Sequence, residues 1–455
     1  MTEPTAKPAG EPSQVSRCDH APEARLNPNV RGLRPSSTLA INERSDKLRR
    51  QGRTIFAMGL GQSPFPVPGP VVEALRRNAF QKDYLPVQGL PELREAVAAH
   101  HRREFGIATT GDHVLIGPGS KELMFLLQLV FAGDLLVPTP TWVSYAPQAR
   151  IIGRQVRWLP TSASNGWRVN ADQLDAACRA DPDRPRLLIL NYPSNPTGTT
   201  YDTDGLAAIA AAAHRYSLIV LSDEIYGKLH HHGRHDSIVP LYPEGTIFSG
   251  GLSKWCGAGG WRLGLFVFPE CLDWLRDAMT AVASETFTST SAPIQHAAVR
   301  AFADDPEIER YLQLVRRVLA ALGRHVARQL EEAGVQVRAP QGGFYLFPDF
   351  SAKAGALRSR GITTSVELCE RLLEDTGVAI LPGRDFGRPD EELTVRIAYV
   401  NFDGGRALEA ARALSSDAAV GNDFLRSHCG EVLEAVQRVA VWINRRPGLD
   451  RVVQD

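Results

Sequence analysis

Net charge is the first thing this chain lacks. Lys+Arg and Asp+Glu each number 51, so no global field draws nucleic acid or an acidic membrane, and any charged ligand must be held locally. Cysteine is scarce: Cys18, Cys178, Cys256, Cys271, Cys369 and Cys429 are scattered with no C-x-x-C spacing, which argues against a disulfide framework or a zinc site and suits a reducing cytoplasm. Long apolar runs are missing too. The longest, Leu206 to Ala213, ends at His214-Arg215 and is far short of a bilayer span. The opening residues are rich in Pro, Glu, Ser and Arg and carry no apolar segment of the kind a signal peptide needs, so neither a leader nor an anchor is expected. What is present is length, 455 residues at 43% hydrophobic, enough for two or three domains of about 150 residues each.

From about residue 112 onward, short β-type runs alternate with helical stretches. His113–Ile116 precedes a helix from Ser120, and Leu135–Val137 precedes Pro138-Thr-Pro140. Arg186–Leu190, a helix near Leu206–Tyr216, Leu218–Leu221, Ile247-Phe248 and Leu263–Phe268 follow. This alternation predicts a mostly parallel sheet covered by helices, an α/β architecture whose ligands sit beyond the carboxyl ends of the strands. Asn191, Asp223 and Ser249 each fall where such a run ends. After about residue 305 the pattern changes to a long amphipathic helix (Glu307–Ala333) and strands near Val335–Val337, Phe344–Phe347 and Leu393–Ala398, which predicts a smaller α+β domain. The expected division is a disordered arm over 1–34, the N-terminal part of the small domain over 35–68, a large domain over 69–305 and the rest of the small domain over 306–455. No internal repeat is evident.

The chemistry gathers around Lys254 and Arg262 in Ser249-Gly-Gly-Leu-Ser-Lys-Trp-Cys-Gly-Ala-Gly-Gly-Trp-Arg-Leu-Gly264. A lysine among small residues can form an imine with an aldehyde cofactor, and an arginine on the same loop can grip a phosphate bidentately. Pyridoxal 5'-phosphate carries both groups. Its ring nitrogen stays protonated only against a shielded carboxylate, a role for Asp223, and its phenolic oxygen asks for donors such as Tyr226 and Asn195. Gly117-Pro-Gly-Ser-Lys121, between a strand and a helix, offers Gly119, Ser120 and Lys121 as a phosphate cradle. An amino-acid substrate presents a carboxylate, which a planar guanidinium can bind with two parallel hydrogen bonds. His230-His-His232 and His235 invite a metal reading, but without a suitably spaced carboxylate or cysteine they are expected to be an exposed polar loop.

Asn191-Tyr-Pro-Ser-Asn-Pro-Thr-Gly198, Ser222-Asp-Glu-Ile-Tyr226 and the Lys254 loop together resemble the class I/II aminotransferases, fold type I pyridoxal phosphate enzymes, over about residues 35–412. The resemblance implies Lys254 as anchor and proton carrier, Trp142 stacked on the cofactor, Gly61 and Arg396 at the substrate, and amino-group transfer from an L-amino acid to a 2-oxo acid by ping-pong turnover. It also implies a homodimer, with Tyr84 and the stretch Thr288–Pro293 reaching the neighbouring subunit's cofactor. Several departures stand out. Gly251 occupies a position where many relatives carry Ser or Thr for the phosphate, leaving Ser249 or Ser253 as substitutes. Trp255-Cys256 is bulkier than usual, and Gly61-Gln-Ser-Pro-Phe65 departs from the commoner Gly-x-Pro opening. The stretch Glu285–Pro293 has no arginine for a second substrate carboxylate, which disfavours a strictly dicarboxylic substrate. Carbon–sulfur β-lyases, cyclases and oxidases share these residues, so the motifs alone leave the reaction type open. A non-catalytic regulator of this fold would need a DNA-binding segment, for which residues 1–34 are too short and polar.

Overall fold

The computed structural model describes residues 25–415 and 419–445. In chain order its strands are β1 (Phe56–Ala57), β2 (Val114–Gly117), β3 (Asp134–Thr139), β4 (Val156–Pro160), β5 (Arg186–Asn191), β6 (Ile219–Asp223), β7 (Thr246–Gly251), β8 (Gly264–Val267), β9 (Tyr345–Leu346), β10 (Val378–Ala379), β11 (Leu381–Pro382) and β12 (Val395–Ala398). The main sheet runs β2-β8-β7-β6-β5-β3-β4, and only β8 is antiparallel to its neighbours. Helices cover both faces, so β5 and β6 are buried almost throughout, as parallel strands with no wet face require. Smaller sheets pair β1 with β10 and order β11-β12-β9. This is the fold type I architecture, a large α/β domain with a smaller α+β domain.

Local chemistry sets the helix ends. Helix Thr203–Arg215 starts where the Asp202 side chain accepts from Gly205 N at 2.8 Å, and helix Pro306–Glu332 starts at Asp305 with proline in its first turn. The 306–332 helix buries a full apolar stripe that includes Leu312, Val315, Leu319, Leu322 and Val326. It spans most of the length expected from periodicity.

Several expectations need correction. No strand forms at 335–337, where Gln336 makes only an isolated bridge to Asp349, and β9 is confined to Tyr345–Leu346. β4 escaped notice because it is an edge strand whose Arg157 and Trp158 face solvent, so it lacks the apolar run of its neighbours. β7 continues to Gly251, which puts Ser249 inside the strand rather than after it. The arm expected over 1–34 lies outside the described residues up to 24. Residues 25–34 instead lie against the body: Pro28–Val30 is a 3-10 turn, Asn29 Nδ2 donates to Ile151 O at 3.3 Å, and Arg150 donates to Arg31 O at 2.5 Å.

Candidate active site

Register places the central residues side by side. Asn191 is paired with Asp223 across β5 and β6, and Asp223 with Ser249 across β6 and β7, so their side chains meet at the carboxyl end of the main sheet. A cleft of about 540 Å³ opens there, between this edge and residues that include Gly61, Tyr345 and Arg396. Asn191, Asn195, Asp223, Tyr226, Ser253, Lys254, Arg262, Ser120, Lys121, Trp142, Gly61 and Arg396, read from separate motifs, all line it.

Asp223 is at the floor. Its Oδ2 accepts from the Tyr145 hydroxyl at 2.5 Å and its Oδ1 from the Ser249 hydroxyl at 3.4 Å. Burial pushes its pKa up to about 6, with the Tyr145 hydrogen bond, the Ile225 amide and Ser249 pulling the other way. A cation held against this carboxylate would favour the ionised form again. Ser249 therefore serves Asp223 and does not line the cleft, so of the substitutes for a phosphate contact only Ser253 faces it. At Gly251 the φ of +155° and a Cβ position 2.7 Å from Leu263 O leave no room for a serine or threonine without movement of backbone.

A second wall is basic. Gly119, at φ +92°, precedes helix Ser120–Val130, and an added Cβ would overlap the Arg262 guanidinium, so glycine here lets that arginine close over the turn. Arg262 itself has φ +56° and donates to Gly259 O at 2.9 Å and Pro118 O at 3.1 Å. Lys121 Nζ lies 5.1 Å from the centre of the Trp142 ring. Burial first, then the positive charges of Arg262 and Lys254, lower the Lys121 pKa. Cations crowded at a helix N-terminus repel one another until an anion joins them.

The third wall joins Lys254, Tyr226 and Asn195 to Gly59, Gly61, Tyr345 and Arg396. Lys254 Nζ donates to Gly61 O at 2.8 Å. The Tyr226 hydroxyl is 2.8 Å from the Tyr345 hydroxyl, which lies 3.5 Å from the same carbonyl. Burial, and then Tyr345, raise the Tyr226 pKa well above the ordinary tyrosine value, keeping its hydroxyl a proton donor. Arg396 is 1% exposed; Nη1 donates to Asn195 Oδ1 at 3.0 Å, Nη2 to Gly59 O, and Nε has no partner. The rings of Tyr345 and Phe386 lie 4.8 and 5.0 Å from its guanidinium carbon. A buried guanidinium without a carboxylate partner is costly, and a ligand carboxylate would relieve that cost.

These walls fit pyridoxal 5'-phosphate together with an amino acid. A turn that a Cβ would fill, flanked by Arg262, Ser120 and Lys121, suits a phosphate. A shielded carboxylate suits a ring nitrogen, and an under-paired buried Arg396 suits a substrate carboxylate. Tyr145 and Tyr345 were not singled out from sequence, although Tyr345 lies in the aromatic run Phe344–Phe347 and Tyr145 is three residues past Trp142. Ser36, Thr38 and Leu39, at the start of helix Ser37–Arg50, also line the cleft and left no motif to find. Tyr84 is 91% exposed and touches nothing in the cleft. The histidine stretch is an exposed loop only in part: His232, Gly233 and Arg234 are exposed, whereas the histidines on either side are covered. His231 is buried with ring nitrogens 3.0 Å from Pro340 O and Gly343 O, and His235 is 2.7 Å from the buried Glu224 carboxylate. Local composition could not reveal the packing of His231, because the covering residues 340–343 lie 109 and more residues further along the chain.

Known proteins resemble the chain over most of its length. The family described as aminotransferase class I and II matches residues 53–414. The asparagine–oxo-acid transaminase of Streptococcus mutans is 31% identical over 82% of this chain and 94% of its own. The aspartate/prephenate aminotransferase of Thermus thermophilus is 32% identical over 83% and 95%. Among solved structures, Thermus thermophilus aspartate aminotransferase with maleate superposes with a TM-score of 0.78 at 30% identity, over 91% of this chain and 99% of that one. The aspartate aminotransferase of Rhizobium meliloti gives 0.79 at 26% identity, over 93% and 99%.

Proposed function

The chain belongs to the class I and II aminotransferases, and on that premise we propose that it holds pyridoxal 5'-phosphate at Lys254 and moves an amino group from an L-amino acid to a 2-oxo acid. The observation that carries this reading is Arg396, buried, under-paired and facing the same cleft as Lys254. When bound, pyridoxal phosphate supplies an electron-poor ring that draws charge from the substrate α-carbon. Lys254 is the tether and the base that carries a proton to and from that carbon. Asp223 holds the ring nitrogen's proton, with Tyr145 and Ser249 fixing the carboxylate. Gly119, Ser120, Lys121, Ser253 and Arg262 would hold the phosphate, Trp142 would pack against the ring, and Asn195 and Tyr226 would offer donors to its oxygen. Arg396, with the Gly61 backbone beside it, orients the substrate carboxylate.

The donor need not be dicarboxylic. One relative is named for asparagine, whose side chain carries no carboxylate, and Glu285–Pro293 offers no second arginine. We further propose a large domain over 69–305 and a small domain from 35–68 and 306–455, a cytoplasmic setting supported by free cysteines among the described residues, and a homodimer in which the exposed Tyr84 reaches the neighbouring cleft. No helix among the described residues is long and apolar enough to cross a membrane.

Adding a donor amino acid alone should release its 2-oxo acid stoichiometrically and leave pyridoxamine phosphate. Catalytic release of pyruvate and ammonia from a β-substituted donor would support β-elimination instead.

A further inference from the structure

The loop bearing Gly59 and Gly61 hangs from β1, a strand only two residues long. Phe56 N and Met58 N donate toward β10, to Gly377 O and Ala379 O at 2.9 and 3.0 Å. The Ala57 N–H points the other way, and its acceptor is a side chain, Asn401 Oδ1 at 3.2 Å. The same amide donates through Nδ2 to Glu431 Oε2 at 2.6 Å. Glu431 stands in the first turn of helix Gly430–Ile443, beyond the residues that match the family.

That helix is tied to the small domain along its length. It buries Val432, Val436, Val439, Trp442 and Ile443. Trp442 Nε1 donates to Asp375 at 2.8 Å, and Arg438 lies over the Phe56 ring, 4.8 Å from its centre, while donating to Thr376 O at 3.3 Å. Two residues beyond Ala57, Gly59 O takes Arg396 Nη2, and two further on Gly61 O takes Lys254 Nζ.

We propose that Glu431, acting through Asn401, is a positioning residue for the substrate side of the site: it fixes the Ala57–Gly61 backbone against which Arg396 is aligned. The proposal rests on Arg396 as the carboxylate clamp. The helix contributes its packing to stability, whereas the Glu431–Asn401–Ala57 chain contributes direction. An exposed hydrogen bond adds little to global stability but can set where a short strand lies.

The test is steady-state kinetics on Glu431→Ala, Glu431→Gln, Val432→Ala and Arg396→Ala, with hydrogen exchange followed in a peptide spanning 55–62. Glu431→Ala should raise KM for both donor and acceptor by about threefold to tenfold with kcat within about twofold, and speed exchange at 57–61. Glu431→Gln should restore both, since its amide oxygen still accepts from Asn401. Val432→Ala removes buried apolar contact without touching Asn401, and should lower the unfolding midpoint while leaving both KM values in place. Unchanged KM in Glu431→Ala, an equal rise in Val432→Ala, or failure of Glu431→Gln to restore would each overturn the proposal. If Arg396→Ala raises KM and Glu431→Ala does not, only the positioning role falls. If Arg396→Ala leaves KM unchanged, the clamp reading falls and the proposal with it.

Discussion

Lys254 Nζ and Gly61 O are joined by a hydrogen bond of 2.8 Å, which links the loop after β7 to the loop after β1 over the cleft. The Tyr345 hydroxyl approaches the same carbonyl, so a small change at Gly61 reaches both the lysine and the tyrosine pair.

A Cβ at Gly61 would overlap the Tyr345 hydroxyl. Overpacking of this kind costs about 1 to 3 kcal/mol, so Gly61→Ala should lower kcat/KM by about fivefold to 150-fold. Kinetics with one donor checks this, and an unchanged kcat/KM would show that the loop moves freely.

Arg396→Ala should weaken all carboxylate substrates alike, by about 2 to 5 kcal/mol in kcat/KM, the scale for removing one partner of a buried charged pair. Substrates differing in side chain should lose the same factor. A loss confined to one side-chain class would move Arg396 from the shared carboxylate to the variable end.

Asp223 gives a pH signature in enzyme stripped of its cofactor. Its folded pKa is about 6 against 3.8 for the unperturbed group, chiefly through burial. Between those values the folded state keeps a proton that the unfolded chain has released. The contribution to stability is therefore largest below the lower value, falls as pH rises between them, and stays at its minimum above about 6, a change of about 3 kcal/mol. Asp223→Asn should remove this decline, measured as the difference in unfolding free energy between the two proteins across pH 4 to 7. Parallel curves would contradict the raised pKa.

Tyr145→Phe removes a hydrogen bond that favours the Asp223 carboxylate, so in stripped enzyme the decline should shift to higher pH. The same unfolding series, run on this variant, reads the shift directly.

The cleft was legible in sequence because its residues sit at strand ends, where register turns separate motifs into neighbours. Asn191, Asp223 and the Lys254 loop belong to buried parallel strands whose apolar runs are plain, and a parallel sheet fixes where their ends meet. Arg396 was found through the resemblance of Leu393–Ala398 to the family's carboxylate clamp, since guanidinium chemistry alone does not single out one arginine. Tyr145 and Tyr345 were not, because a buried tyrosine that anchors another side chain looks like any core aromatic until its hydroxyl is seen to have a partner. β1, β9, β10 and β11 have two residues each, too few for any period to show. His231 misled for a related reason. Polar residues beside a glycine suggest exposure, yet carbonyls contributed by residues 340 and 343 satisfy its ring nitrogens inside the protein.

The most direct test of the account is to reduce the enzyme with borohydride in the presence of pyridoxal 5'-phosphate, digest it and map the modified lysine by mass spectrometry. The account predicts the pyridoxyl group on Lys254, with Lys254→Ala losing both the label and turnover. A label on Lys121 or any other lysine instead, or full activity in Lys254→Ala, would contradict it.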